Sequence, residues 1–220
     1  MAETIDFELN ESAHLAVSAA RAEHRALFAA LLALDSRLGK LVAGANEPML
    51  GQMRLAWWRD QLSSEPSARP QGDAVLDGLS ATYGNHTEGL RSLVDGWEGF
   101  LLAESDARTS IAALAEGRAK AFRDVGTLAG SGSEPEAVAH AARFWSHIDV
   151  YLHASGEEDR AEARALADAH RDPVARLDRT MRPLAVLRGL AARVIDRDLT
   201  QMMGDRMSPL AALRLGLFGR

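Results

Sequence analysis

Residues 25–62 read RALFAALLALDSRLGKLVAGANEPMLGQMRLAWWRDQL, and the spacing of their apolar side chains decides the fold class. Leu27, Leu31, Leu34, Leu38 and Leu41 recur at intervals of four, three, four and three, which draws one stripe down a helix extending from Ala13 to about Val42. Gly44 supplies a C-terminal stop. Asn46-Glu47-Pro48 then reads as a cap followed by a first-turn proline, opening a second helix that runs to about Leu62. Met49, Met53, Ala56 and Trp57 lie on one side of that helix, and Leu55, Trp58 and Leu62 on another. A helix apolar on two faces is expected to be buried and central.

Working outward, Ser63 to Asp73 (SSEPSARPQGD) has no periodicity and reads as an exposed loop. Helices are expected at about 74–83 and 88–104, with Asp73 and Thr87 as N-caps, and at about 109–129, ending at Gly130. Ser133-Glu134-Pro135-Glu136 matches a capping box opening a helix to about Ala154. Further helices follow at Glu157–His170, Pro183 to about Asp198, and after Ser208-Pro209. Eight or nine helices with short connections predict an all-α, single-domain helical bundle over residues 13–220, preceded by a tail at 1–12.

Composition agrees. Among 220 residues there are 40 Ala and only 14 Val plus Ile, a balance that favours helices over strands. The absence of Cys excludes disulfides, zinc–thiolate sites and thiol nucleophiles, and makes a reducing cytoplasm the expected compartment. The opening MAETIDFELNES has neither the apolar core of a signal peptide nor the arginines of a transit peptide, and no run approaches the length of a membrane span. Net charge is −6, split between 13 basic and 24 acidic residues up to position 159 and 12 against 7 from 160 onward. That distribution argues against nucleic acid, whereas the basic last quarter suits an anionic ligand, an acidic partner, a lipid surface, or simply solvated faces paired with the acidic remainder.

No Walker loop, dinucleotide fingerprint, nucleophile elbow or His-Glu-x-x-His motif occurs, and Gly130-Ser131-Gly132 reads as a flexible connection. Asp149 and His153 are four apart on one helix face, a spacing able to chelate a metal or to form an ordinary i,i+4 pair. Asp168 and Asp172 read as a solvated pair, and Asp196 and Asp198 point to different sides. Arg54, Trp57, Trp58 and Arg59 form the most distinctive cluster. Buried guanidinium groups need an anion or internal partners, here a bound anion or Asp35, Asp60 or Asp95.

At this point the chain resembles the squalene/phytoene synthase family. In that family an Arg-Leu-x-Trp-Trp-Arg helix follows one opening Ala-Leu-Phe-Ala, as Arg54–Arg59 follows Ala26–Ala29 here. Weaker similarity continues through 135–154 and into the closing ALRLGLFGR. The resemblance implies the isoprenoid synthase fold, a helical bundle around a cavity in which two Asp-rich motifs hold the magnesium ions that bind and ionise a prenyl diphosphate. In the corresponding positions stand Leu38-Gly39-Lys40-Leu41-Val42, with no carboxylate, and FWSHIDVYLH (144–153), with Asp149 alone. Arg123-Asp124-Val125 imitates the second motif one helix early and lacks its second Asp.

The expectation is therefore a shortened, non-catalytic relative without a cofactor. It binds a protein partner or an isoprenoid- or lipid-like ligand, retains Arg54, Trp57, Trp58 and Arg59 on a cavity helix, and sits in the cytoplasm or against a membrane surface. Non-catalytic relatives are known in outline, including an assembly factor with a similar Arg-Trp helix. The alternative is a divergent magnesium-dependent prenyltransferase using Asp149, Asp124 and Asp35, which requires those carboxylates to converge within roughly 4–5 Å of one point. A third reading, an interaction module, rests on Arg182, Arg188 and Arg193.

Overall fold

The computed structural model describes residues 9–45, 47–102, 106–172 and 175–219. Among them are ten α-helices and no strand: α1 (Glu11–Ser18), α2 (Arg25–Ala43), α3 (Pro48–Ser63), α4 (Ala74–Tyr83), α5 (Glu88–Leu102), α6 (Ala107–Leu128), α7 (Pro135–His153), α8 (Glu157–Ala169), α9 (Arg182–Arg197) and α10 (Ser208–Phe218). The predicted all-α class is thus observed. No helix among the described residues is long and apolar enough to cross a membrane.

The long first helix is in fact two. Asn10 accepts from the Ala13 amide at 2.8 Å and opens α1, whose Ala13 and Ala16 pack on α9 and α10. The chain then turns extended at Arg21, and α2 starts at Arg25 to pack against α4 and α5. Two different partners require two directions, and this overrides local helix propensity. The Leu31, Leu34 and Leu38 stripe of α2 is buried, with Leu27 and Leu41 at its edges.

The centre is α6 and α7, not α3. Helix α6 contacts α2, α5, α7 and α8, and α7 contacts α6, α8 and α9. Their buried faces are rich in small residues, Ala115, Gly117 and Ala119 on α6 and Ala139, Ala141 and Ala142 on α7, so their axes approach closely. Helix α3 lies at the periphery, with Leu55, Trp58 and Leu62 against α5 and α2, while Met49, Leu50, Met53 and Trp57 face solvent. Only one of its two apolar faces is covered.

Capping differs from the sequence reading in two places. Asp73 caps α4 as expected, accepting from the Val75 and Leu76 amides. Thr87 does stand at the cap of α5, its carbonyl accepting from the Arg91 amide at 2.9 Å, but its hydroxyl donates to the Leu62 carbonyl; Ser133 Oγ accepts from the Asp178 amide, leaving Glu134 at the cap of α7 without a side-chain bond. Nor is Gly130-Ser131-Gly132 a loose connection: Asp178 takes the Ser131 hydroxyl at 3.0 Å and the Gly132 amide at 2.7 Å. The 63–73 segment is likewise stapled, since buried Arg69 donates to the carbonyls of Gln61, Ser64 and Gly84.

Candidate functional site

Four helices place polar groups on largely apolar buried faces. On α2 the group is Asp35, between Leu31 and Leu38; on α5, Trp97, following Leu90, Leu93 and Val94; on α6, Arg118, between Leu114 and Phe122. On α7, Ser146 and Asp149 project beside Trp145. A charge on a core stripe must find partners inside the protein, and these find one another.

Arg118, 3% exposed, is the hub. Its Nε donates to Asp35 Oδ1 at 3.0 Å and its Nη2 to Asp35 Oδ2 at 2.9 Å, a bidentate fork. The same Nη2 lies 2.9 Å from Asp149 Oδ2, and Nη1 donates to Ser146 Oγ at 3.2 Å. Asp35 Oδ1 also accepts from Trp97 Nε1 at 2.9 Å. The guanidinium carbon sits 4.5 Å from the Trp145 ring centroid and 5.2 Å from that of Trp97. Burial opposes the charge on Arg118, but the two carboxylates more than offset it and raise its pKa.

Two glycines make this meeting possible. Gly96 and Gly117 stand where α5 crosses α6; a Cβ on Gly117 would lie 2.6 Å from the Ser92 carbonyl oxygen and one on Gly96 3.0 Å from the Gly117 Cα. Each precedes a member of the cluster, Trp97 or Arg118. The close crossing thus sets the stacking distance.

The cluster forms the floor of a cavity of about 910 Å³ bounded by α1, α2, α5, α6, α7 and the first turn of α8. Trp97, Phe100, Ile111, Leu114, Trp145 and Val150 line it with apolar surface. Five carboxylates, those of Asp35, Asp106, Asp149, Glu158 and Asp159, face two permanent cations, Lys40 and Arg118. At an effective dielectric constant of 20, each like-charge contact at 4 Å costs about 4 kcal/mol. That balance repels an anion that enters without a counter-cation.

The sequence reading anticipated only part of this arrangement. Asp35 and Asp149 do converge, each with one oxygen 2.9 Å from a single point, but that point is Nη2 of Arg118. Asp124 is elsewhere, accepting from the Gly89 amide at the start of α5, where burial raises its pKa. These residues do not fit magnesium, because a guanidinium already fills the space between the carboxylates and both oxygens of Asp35 are taken. His153 Nδ1 lies 2.8 Å from the Asp149 carbonyl oxygen and 3.5 Å from Oδ1, so the i,i+4 pair is a local helix contact with its carboxylate turned to Arg118. No group of three or more His, Asp or Glu placed to hold a metal occurs among the described residues.

Arg54, Trp57, Trp58 and Arg59 do not line the cavity. Arg54 and Trp57 are exposed, and Trp58 is buried with its ring edge-to-face against Trp57 at 5.2 Å. Arg59 is half-buried and pairs with Asp95 and Glu98 of α5, which is the internal salt bridge among the alternatives for this cluster. The expectation of a cavity helix here is corrected: α3 faces α5 from outside. Asp168 pairs with Arg164 at 3.1 Å.

Comparison with protein-family models, curated proteins and solved structures finds no match to this chain.

Proposed function

We propose that this chain is a non-catalytic squalene/phytoene synthase-like protein whose central cavity holds an elongated isoprenoid- or lipid-like ligand with no free anionic head. The observation that carries the reading is the Asp35–Arg118–Asp149 cluster at the floor of the cavity. An ionising site for a diphosphate needs carboxylates free to hold cations. Here the protein supplies its own cation, fixed and buried. What is left is a pocket of mixed polarity within the volume range of small-molecule sites, whose aromatic rings suit a hydrocarbon chain.

The test is binding of farnesol, followed by the emission of Trp97 and Trp145, beside turnover of farnesyl diphosphate with magnesium. Saturable binding of farnesol, tighter than that of farnesyl diphosphate, with no diphosphate released, is the expected result. Magnesium-dependent turnover of farnesyl or geranylgeranyl diphosphate would overturn it. A protein partner is the second reading, favoured by Met49, Leu50, Met53 and Trp57, which make one exposed apolar face on α3.

A further inference from the structure

Helix α10 buries Ser208, Ala212 and Leu215 against α9 and α1, and turns its other side outward. On that side Leu210, Leu213 and Leu217 are 57%, 59% and 59% exposed, with Met207 and Phe218 equally open at the two ends. These five are half of the large apolar side chains exposed among the described residues, gathered on one short helix and its N-cap residue. Solvent alone does not favour such a face.

Its charge is one-sided. Arg214 falls between Leu210 and Leu217 on the same face, and Arg206 is exposed just before the helix. The neighbouring carboxylate, Asp205, is consumed: Arg193 Nη2 donates to both its oxygens at 2.9 and 2.8 Å, and Oδ1 also accepts from the Ser208 hydroxyl.

Behind the face, α9 and α10 enclose a cavity of about 360 Å³ whose lining includes Arg176, Arg188, Arg193 and Arg214. The one acid in that lining, Asp196, is held by Arg171 at 2.6 Å. Arg188 and Arg193 each keep a buried Nε without a hydrogen-bond partner. At the start of α9, Arg182 is 6% exposed and leaves Nε and Nη1 unpartnered as well. Those buried nitrogens are closed to solvent, and Arg188 and Arg193 already place Nη2 on the Arg171 and Asp172 carbonyls and on Asp205; the exposed guanidinium groups of Arg176 and Arg214 are the ones an anion in the groove meets.

We infer that the α9–α10 edge docks on an anionic phospholipid bilayer, with the leucine face of α10 in the interfacial hydrocarbon and lipid phosphates at the arginine groove. An apolar helix face carrying arginines is the combination an anionic interface selects. An acidic protein would use the charge and leave the leucines unexplained; a soluble phosphate would use the groove alone.

The experiment is cosedimentation of the full chain with vesicles of phosphatidylcholine, alone or mixed with phosphatidylglycerol. The expected result is binding to the mixed vesicles only, weakening as salt rises. Arg214→Glu changes two charges and lowers partitioning about 30-fold. The double variant Leu213→Gln/Leu217→Gln lowers it about tenfold or more. Both substitutions are on exposed side chains, so unchanged circular dichroism and melting temperature confirm the fold, and either variant alone serves if the other fails to fold. No binding to mixed vesicles, or equal binding to neutral ones, overturns the proposal. So does loss in Arg214→Glu with the leucine variant unaffected, which reduces the contact to charge alone, without insertion of the α10 face. Inorganic phosphate releasing the protein from vesicles, at ionic strength held constant with chloride, assigns the groove to a soluble anion and also overturns it.

Discussion

Arg118 grips Asp35 with two parallel hydrogen bonds, Nε to Oδ1 at 3.0 Å and Nη2 to Oδ2 at 2.9 Å, joining α6 to α2 across 83 residues of chain. Asp149 closes the arrangement from α7. The consecutive helices α6 and α7 are therefore tied to the distant α2 at one buried ion, and the cavity floor is also a structural joint. Solvent is excluded from most of the pair, so its removal is not buffered by water.

Replacing Arg118 by Leu leaves two carboxylates in the core without their counter-ion, which costs about 3–5 kcal/mol of unfolding free energy. Arg118→Lys is also destabilised, because an ammonium cannot reproduce the fork to Asp35 or the stack between Trp97 and Trp145. Urea unfolding measures both. A Leu variant as stable as the parent would remove Arg118 from this role.

The same geometry makes a divalent-ion prediction with opposite outcomes in two proteins. In Arg118→Ala, Asp35 and Asp149 keep their positions and lose the cation between them, so magnesium stabilises the folded form by mass action. At ten times its dissociation constant the melting temperature rises by about 3–6 °C. In the parent, where the guanidinium holds that point, magnesium leaves the melting temperature unchanged. Equal responses would mean that the guanidinium does not occupy the place of a cation.

At the α5–α6 crossing, Gly117→Ala puts a Cβ 2.6 Å from the Ser92 carbonyl oxygen, a backbone atom that cannot rotate away. Alanine gains about 1 kcal/mol of helix propensity over glycine, but overpacking against another helix costs about 1–3 kcal/mol and wins when the contact is this short. A net loss of stability is expected. Since Trp97 and Arg118 are the next residues along the two helices, a shift in tryptophan emission should accompany it.

How far the sequence carried these conclusions can be seen from single residues. The α2 stripe announced its burial because Leu31, Leu34 and Leu38 follow the helical period, and Gly44 and Asp73 announced helix ends by local chemistry. Asp35 and Arg118 carried a signal too, as charges standing on apolar stripes, but a stripe does not say which other stripe it meets. The meeting depends on how α2, α6 and α7 pack, and no spacing along the chain encodes that. Helix α3 failed for a related reason: both its faces are apolar, and the neighbours cover only the Leu55–Trp58–Leu62 side. The break at Arg21 was hidden because α1 and α2 are separately good helices whose partners lie in different directions.

His147, 2% exposed on α7, supplies the pH dependence. Its Nδ1 has no hydrogen-bond partner, and the His170 ring lies 5.0 Å away. Burial, with His170, Arg143 and Arg108 adding to it, pushes its pKa from 6.5 down to about 3. Burial and His170 lower His140 in the same direction. A histidine whose folded pKa is depressed stays neutral in the native protein while its unfolded counterpart takes a proton. The unfolded state therefore binds more protons as pH falls below 6.5, and stability falls with it. Between pH 6.5 and 5, before most carboxylates titrate, His147 alone removes about 2 kcal/mol. His147→Leu should flatten that part of the profile in urea unfolding. If the Leu variant loses stability over the same interval as steeply as the parent, the proton is taken up elsewhere.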